Sequence, residues 1–85
     1  MNNKELYQAE AGIGKRLRKL RKDRSLTQED LASLAETNQA VIQKIENGKS
    51  LRPRNLPDLA VVLKVNPAWL QWGEPYAKKQ LETAH

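Results

Sequence analysis

The chain has 85 residues, with 15 Lys and Arg against 10 Asp and Glu, a net charge of +5, no Cys and no Phe. That length suits one small domain, able to bury only about 60% of its unfolded surface, and the absence of Cys excludes a disulfide framework and a thiolate metal site. No apolar run reaches membrane-spanning length and the start MNNKELYQAE has no signal-peptide apolar region, so a soluble cytoplasmic protein is expected.

Residues 1–12 are polar and lead into the glycines Gly12 and Gly14, which reads as an N-terminal arm or helical extension. The first helix is expected from Ile13 to Arg24, with Ile13, Leu17, Leu20 and Arg24 on one face at helical spacing. Ser25 ends it and Leu26 enters the core from the loop. The second helix starts at Thr27, where Thr27 and Asp30 form a capping-box pattern with Asp in place of Glu. It runs to about Ala35, with Leu31, Leu34 and Ala35 on its buried side and Ala32 small enough for close approach. Glu36 to Asn38 make a tight turn.

The third helix is expected from Gln39 to Asn47, capped by Asn38 and stopped by Gly48 in a left-handed conformation. The loop KSLRPR follows, with Arg52 held extended by Pro53. A fourth helix begins near Leu56, with Asn55 as its cap and Pro57 in its first turn, and buries Leu56, Leu59, Ala60 and Leu63. A fifth repeats the device: Asn66 caps, Pro67 opens, Trp69 and Leu70 pack inward and Gly73 stops it. Residues 75–85 read as a tail or linker. Five short helices joined by short loops make an all-α domain over residues 13–74.

The third helix carries the functional signal. Asn38, Gln39, Ala40, Gln43 and Lys44 point outward while Ile42 and Ile45 point inward. A core has no use for an amide-rich outer face with a lysine, whereas the edges of base pairs do. Lys15, Arg16, Arg18, Lys19, Arg21, Lys22 and Arg24 crowd into ten residues, and Lys49, Arg52 and Arg54 follow the third helix. The first run alone fits a solvated helix face equally well; two basic groups flanking one amide-rich helix favour a polyanion. Catalysis has no support: His85 is the sole histidine and sits at the terminus, and no nucleophile–base set, metal cluster or phosphate-binding Gly loop occurs. No enzyme activity and no cofactor are expected.

Three segments carry a family resemblance: LTQEDLA at Leu26–Ala32, IENGKSLRPRNLPDLA at Ile45–Ala60 and VNPAWLQWGE at Val65–Glu74. In order and spacing they resemble the DNA-binding domains of lambdoid phage repressors and Cro proteins, the Cro/C1-type helix-turn-helix class. That resemblance implies a compact five-helix, lambda-repressor-like domain with helices 2 and 3 as the helix-turn-helix. It also implies helix 3 in the major groove, and two copies on a pseudo-palindromic operator in double-stranded DNA. By position, base reading falls to Gln39, Ala40 and Lys44, with Asn38 and Gln43 beside them. Gln39 suits adenine; Lys44 suits guanine or a phosphate; Ala40 suits a thymine methyl or leaves clearance. Backbone contacts fall to Thr27, Gln28, Asn47, Lys49, Arg52, Arg54 and Arg18, with the minor groove as an alternative for Arg54. Gln28 also steadies Gln39. Arg21 and Glu46 resemble a buried structural ion pair.

Two departures bear on this. The turn position commonly occupied by Gly in the family is Glu36 here, and an amide reader of one branch is replaced at Ala40 and Lys44, so no operator sequence carries over. The function implied is a phage or prophage repressor, as part of a longer protein or as a short Cro-like one. An antitoxin with the same fold and a toxin partner is the alternative. A restriction–modification controller and a protein-interaction module are further ones.

Overall fold

The computed structural model describes residues 12–79. The proposed arm up to Ala11, the end of the tail from Gln80 and His85 lie outside the described residues. Among the described residues five helices follow one another: α1 Ile13–Asp23, α2 Gln28–Leu34, α3 Gln39–Glu46, α4 Leu56–Leu63 and α5 Pro67–Trp72. Among the described residues the only strand-like feature is a single antiparallel bridge between Val65 and Lys79. The all-α expectation holds, and among the described residues no helix is long and apolar enough to cross a membrane.

The core is aliphatic. Ile13, Leu17 and Leu20 of α1, Leu31 of α2, Ile42 and Ile45 of α3, Leu59 and Leu63 of α4 and Leu70 of α5 are fully buried. Each such side chain stabilises the fold by about 1.5–3 kcal/mol relative to exposure. Because Ile42 and Ile45 lie on one side of α3, the opposite side of that helix is turned to solvent.

Helix α1 crosses the end of α3 at very short range. A Cβ on Gly14 would sit 2.5 Å from the Ile45 carbonyl oxygen and 2.9 Å from that of Glu46. Only glycine permits this approach, so Gly14 helps set where α3 sits.

Four helices end in the same way. The residue after the last turn is left-handed at Ser25, Glu36, Gly48 and Lys64 (φ of 55°, 57°, 84° and 58°). In each case the next amide returns to a carbonyl five residues back: Leu26 to Arg21, Thr37 to Ala32, Lys49 to Lys44 and Val65 to Ala60, at 2.8–3.0 Å. These are Schellman closures. Only Gly48 adopts the conformation without side-chain strain. The left-handed geometry at Glu36 answers the departure from the family pattern: the turn keeps its shape, and the non-glycine residue costs about 1–2 kcal/mol.

Several expectations need correction. Leu34 is 57% exposed rather than buried. It sits in the last turn of α2, where the chain already swings away at Glu36, and it lies beside the exposed Val61 on a shallow groove of about 160 Å³. Asn55 precedes α4 but its side chain makes no capping bond. The turn closed by the Leu56 amide on the Pro53 carbonyl (3.2 Å) winds the backbone before the helix starts, which takes Asn55 out of the extended conformation an N-cap side chain needs. Arg24 is not part of an apolar stripe: it is the exposed residue after α1. Part of the expected tail is tied down, since the Asn66 amide donates to the Lys78 carbonyl at 2.9 Å and the Asn66 side chain to that of Ala77 at 3.0 Å.

Candidate nucleic-acid interface

Local capping sets the two helices of the site. Thr27 accepts from the Asp30 amide at 3.0 Å and Asp30 accepts from the Thr27 amide at 2.9 Å, closing the capping box at the start of α2. These bonds hold the Asp30 carboxyl below the usual carboxylate range. Asn38 caps α3 by accepting from the Val41 amide at 3.1 Å. The Asn38 side-chain oxygen is therefore engaged within the protein, leaving its NH₂ group outward.

Gln39, Ala40, Gln43 and Lys44 form one exposed row along α3, together with Asn38 at its head. On one flank, Arg18 of α1, Gln28 of α2 and Gln43, Glu46 and Asn47 border a hollow of about 320 Å³. On the other flank, Thr37, Val41 and Lys44 face Pro53, Arg54 and Asn55 across a hollow of about 290 Å³. Arg18, Lys44 and Arg54 put positive charge on the edges of both hollows.

The loop after α3 is held from behind. Its first turn is closed by the Ser50 amide on the Lys44 carbonyl at 3.1 Å. The buried Gln71 of α5 donates to the Leu51 carbonyl at 2.6 Å. The Arg52 guanidinium lies 5.2 Å from the Trp72 ring centroid, a cation–π distance. Trp72 is thus partly covered by Arg52. Gln71 was not foreseen from the sequence, because a glutamine between two tryptophans reads as an exposed helix residue until α5 is docked. Asn47 accepts from the Lys49 amide at 3.3 Å, and Lys49 and Arg54 are exposed.

Arg21 and Glu46 form the expected buried pair. Arg21 Nε donates to Glu46 Oε2 at 2.7 Å and Nη2 to Oε1 at 2.9 Å, while Nη1 donates to the Leu26 carbonyl at 2.8 Å. Their side chains are only 10% and 5% exposed. The hydrogen bonds that Arg21 donates to Glu46 push its guanidinium above its ordinary value despite burial. Beyond this pair, Gln28 Nε2 donates to Glu46 Oε1 at 3.2 Å, and Gln39 Nε2 donates to Gln28 Oε1 at 3.2 Å. Gln28 is thus hydrogen-bonded both to Gln39 and to Glu46.

The basic run of α1 is mostly not part of this face. Arg16 donates to the Leu70 and Gln71 carbonyls at 2.9 and 2.8 Å, and burial lowers its pKa. Arg24 donates to the Leu63 and Leu20 carbonyls at 2.7 and 3.1 Å. Lys19 pairs with Asp23 at 3.2 Å on the surface. Of that run, Arg18 and Arg21 border the hollow beside α3; Arg21 is buried against Glu46 and Arg18 is exposed.

A tight turn between a capped α2 and a capped α3, with the outer side of α3 exposed, is a helix-turn-helix. Residues 17–70 match the family model described as helix-turn-helix. The chain belongs to the helix-turn-helix family, of the Cro/C1 type. This DNA-binding domain is 39% identical over 71 residues to the HTH-type transcriptional regulator PrtR of Pseudomonas aeruginosa, covering 81% of this chain and 28% of that protein. It is 46% identical over 55 residues to the uncharacterized HTH-type transcriptional regulator RghRB of Bacillus subtilis, covering 62% of this chain and 40% of that protein. The chain therefore spans well under half the length of these relatives. Among solved structures, the restriction-modification controller protein C.AhdI of Aeromonas hydrophila superposes with a TM-score of 0.66 and 32% identity, over 75% of this chain and 94% of that one.

Proposed function

We propose that this helix-turn-helix domain is a sequence-specific transcription regulator that binds a pseudo-palindromic operator as a dimer, in the manner of a phage or prophage repressor. The observation that carries the reading is the exposed row Gln39, Ala40, Gln43 and Lys44 on a helix whose other side is locked into the core by Ile42 and Ile45. A rigid helix with amide and ammonium groups outward fits the major groove, which presents a distinct donor and acceptor pattern for each base pair. The hollows on both sides of α3, edged by Arg18, Lys44 and Arg54, suit the two phosphate backbones that border the groove.

In this reading Gln39 reads adenine, Lys44 donates to guanine, Ala40 meets a thymine methyl and Gln43 stands at the edge of the contact. Thr27, Gln28, Asn47, Lys49, Arg52, Arg54 and Arg18 hold the backbone. Selection of bound sites from random duplex DNA tests this. The expected product is two inverted half-sites about one helical turn, roughly 34 Å, apart. Recovery of unselected sequence would remove the reading. The likeness to C.AhdI supports a second setting for the same chemistry, control of a restriction–modification operon. Selected sites upstream of methyltransferase and nuclease genes would favour it over a prophage operator.

A further inference from the structure

We propose that Glu46 sets the base preference of Gln39 through Gln28, acting as a positioning residue that does not itself meet DNA. The inference rests on the reading of α3 as the base-contacting helix, and it specifies what makes that helix choose.

The direction of each hydrogen bond is set from the buried carboxylate outward. Glu46 is held by three donors: Arg21 Nε on Oε2 at 2.7 Å, and Arg21 Nη2 and Gln28 Nε2 on Oε1 at 2.9 and 3.2 Å. Arg21 is fixed in turn by the Leu26 carbonyl at 2.8 Å, so the carboxylate has no room to swing. An ionised carboxylate only accepts. The end of Gln28 that faces it must therefore be the NH₂ group, which turns the Gln28 carbonyl oxygen outward. That oxygen also only accepts, so Gln39 must present its own NH₂ group there, at 3.2 Å.

Two glutamines by themselves have no preferred direction, because either amide can donate to the other. The carboxylate at the inner end removes that ambiguity, and the choice is passed outward from the ion pair to the helix surface. Gln39 is then left with its carbonyl oxygen and one remaining N–H for the groove. Adenine offers one donor at N6 and one acceptor at N7, which that pair matches. Guanine offers two acceptors, O6 and N7, and would face a carbonyl oxygen. The relay thus favours adenine and disfavours guanine at the base pair Gln39 reads.

The test compares duplexes that carry A·T or G·C at the pair whose preference is altered by Gln39→Ala. The wild-type protein is expected to favour adenine by about tenfold or more, the discrimination of one good bidentate contact. Glu46→Gln supplies an amide that both donates and accepts, so the relay can reverse. Gln28→Ala removes the link and leaves the Arg21–Glu46 pair in place. Both variants are expected to bring the ratio to within about threefold, a residual of under 1 kcal/mol. Gln28→Ala also lowers affinity for both duplexes, so the ratio is the quantity read. If Glu46→Gln fails to fold, Gln28→Ala carries the test. An unchanged ratio in Gln28→Ala, or a wild-type preference for guanine, overturns the proposal. If Gln39→Ala alters preference at no base pair while the protein still binds DNA, the base-reading role of α3 falls, and the relay with it.

Discussion

Helix α1 and the stretch from α3 through its following loop are both rich in cations, and they place them in opposite settings. On α1, Arg16 reaches the last carbonyls of α5, Arg21 is sealed against Glu46, and Arg24 reaches the last carbonyl of α4. Around α3, Lys44, Lys49 and Arg54 stand exposed on a frame held from beneath by Gln71 and by the turn at Gly48. The difference comes from what lies opposite each side chain. The ends of α4 and α5 leave carbonyls with no partner inside their own helices, and a planar guanidinium on a neighbouring helix satisfies two of them while complementing the helix dipole. The outer side of α3 is exposed, with Gln39 bonded to Gln28 of α2, so the polar groups of Gln43 and Lys44 point to solvent. Density of positive charge along the chain therefore does not tell which cations stay exposed; the helix ends around them decide.

Breaking the inward set should show first in stability. Arg21→Ala or Glu46→Ala leaves a buried partner uncompensated and is expected to cost about 3–5 kcal/mol by chemical denaturation, enough to unfold a domain this small under ordinary conditions. Gly14→Ala drives a methyl group into the Ile45 and Glu46 carbonyls. It should cost about 1–3 kcal/mol and also weaken DNA binding, because α3 must shift to relieve the contact. Arg54→Ala is the outward counterpart: the melting temperature should stay within experimental error, while affinity falls for all sequences and the slope of log K against log salt drops by about 1. Equal loss of stability in Arg54→Ala would erase the contrast between the two regions.

Smaller effects sharpen the same frame. Glu36→Gly relieves the left-handed turn but adds freedom to the unfolded chain, for a net gain of about 0.5 kcal/mol in a thermal melt. Asp30 offers a pH test. Its carboxyl is held below its unfolded value of about 3.9 by the Thr27 bonds, so its contribution is present above that pH and is lost as pH falls through the lowered folded value. The stability difference between the wild type and Asp30→Asn should shrink as acid is added from about pH 5 downward, as read by denaturant melts at each pH.

Much of the fold was legible because the apolar residues repeat at helical spacing and because stops and caps such as Thr27, Asn38, Gly48 and Asn66 act locally. The exposed row on α3 was legible for the same reason, since Ile42 and Ile45 fix which side faces in. What stayed hidden depends on partners distant in the chain. Arg16 and Arg24 look like any exposed basic residue until α4 and α5 are docked. Gln71 acquires its role only when Leu51 arrives, and Leu34 loses its burial because the chain leaves α2 too early to cover it. Ser25 and Lys64 carry no mark of a left-handed conformation, which the Schellman closures impose on them.

The central claim is that the outer side of α3, and not the basic run of α1, meets DNA. Titrating the isotopically labelled protein with its selected duplex and following side-chain signals by NMR tests this most directly. The account predicts large shifts for the Gln39 and Gln43 amides, the Ala40 methyl and the Arg54 guanidinium, with Arg16 and Arg24 unmoved. Shifts concentrated on α1 with Gln39, Ala40 and Gln43 silent would contradict it.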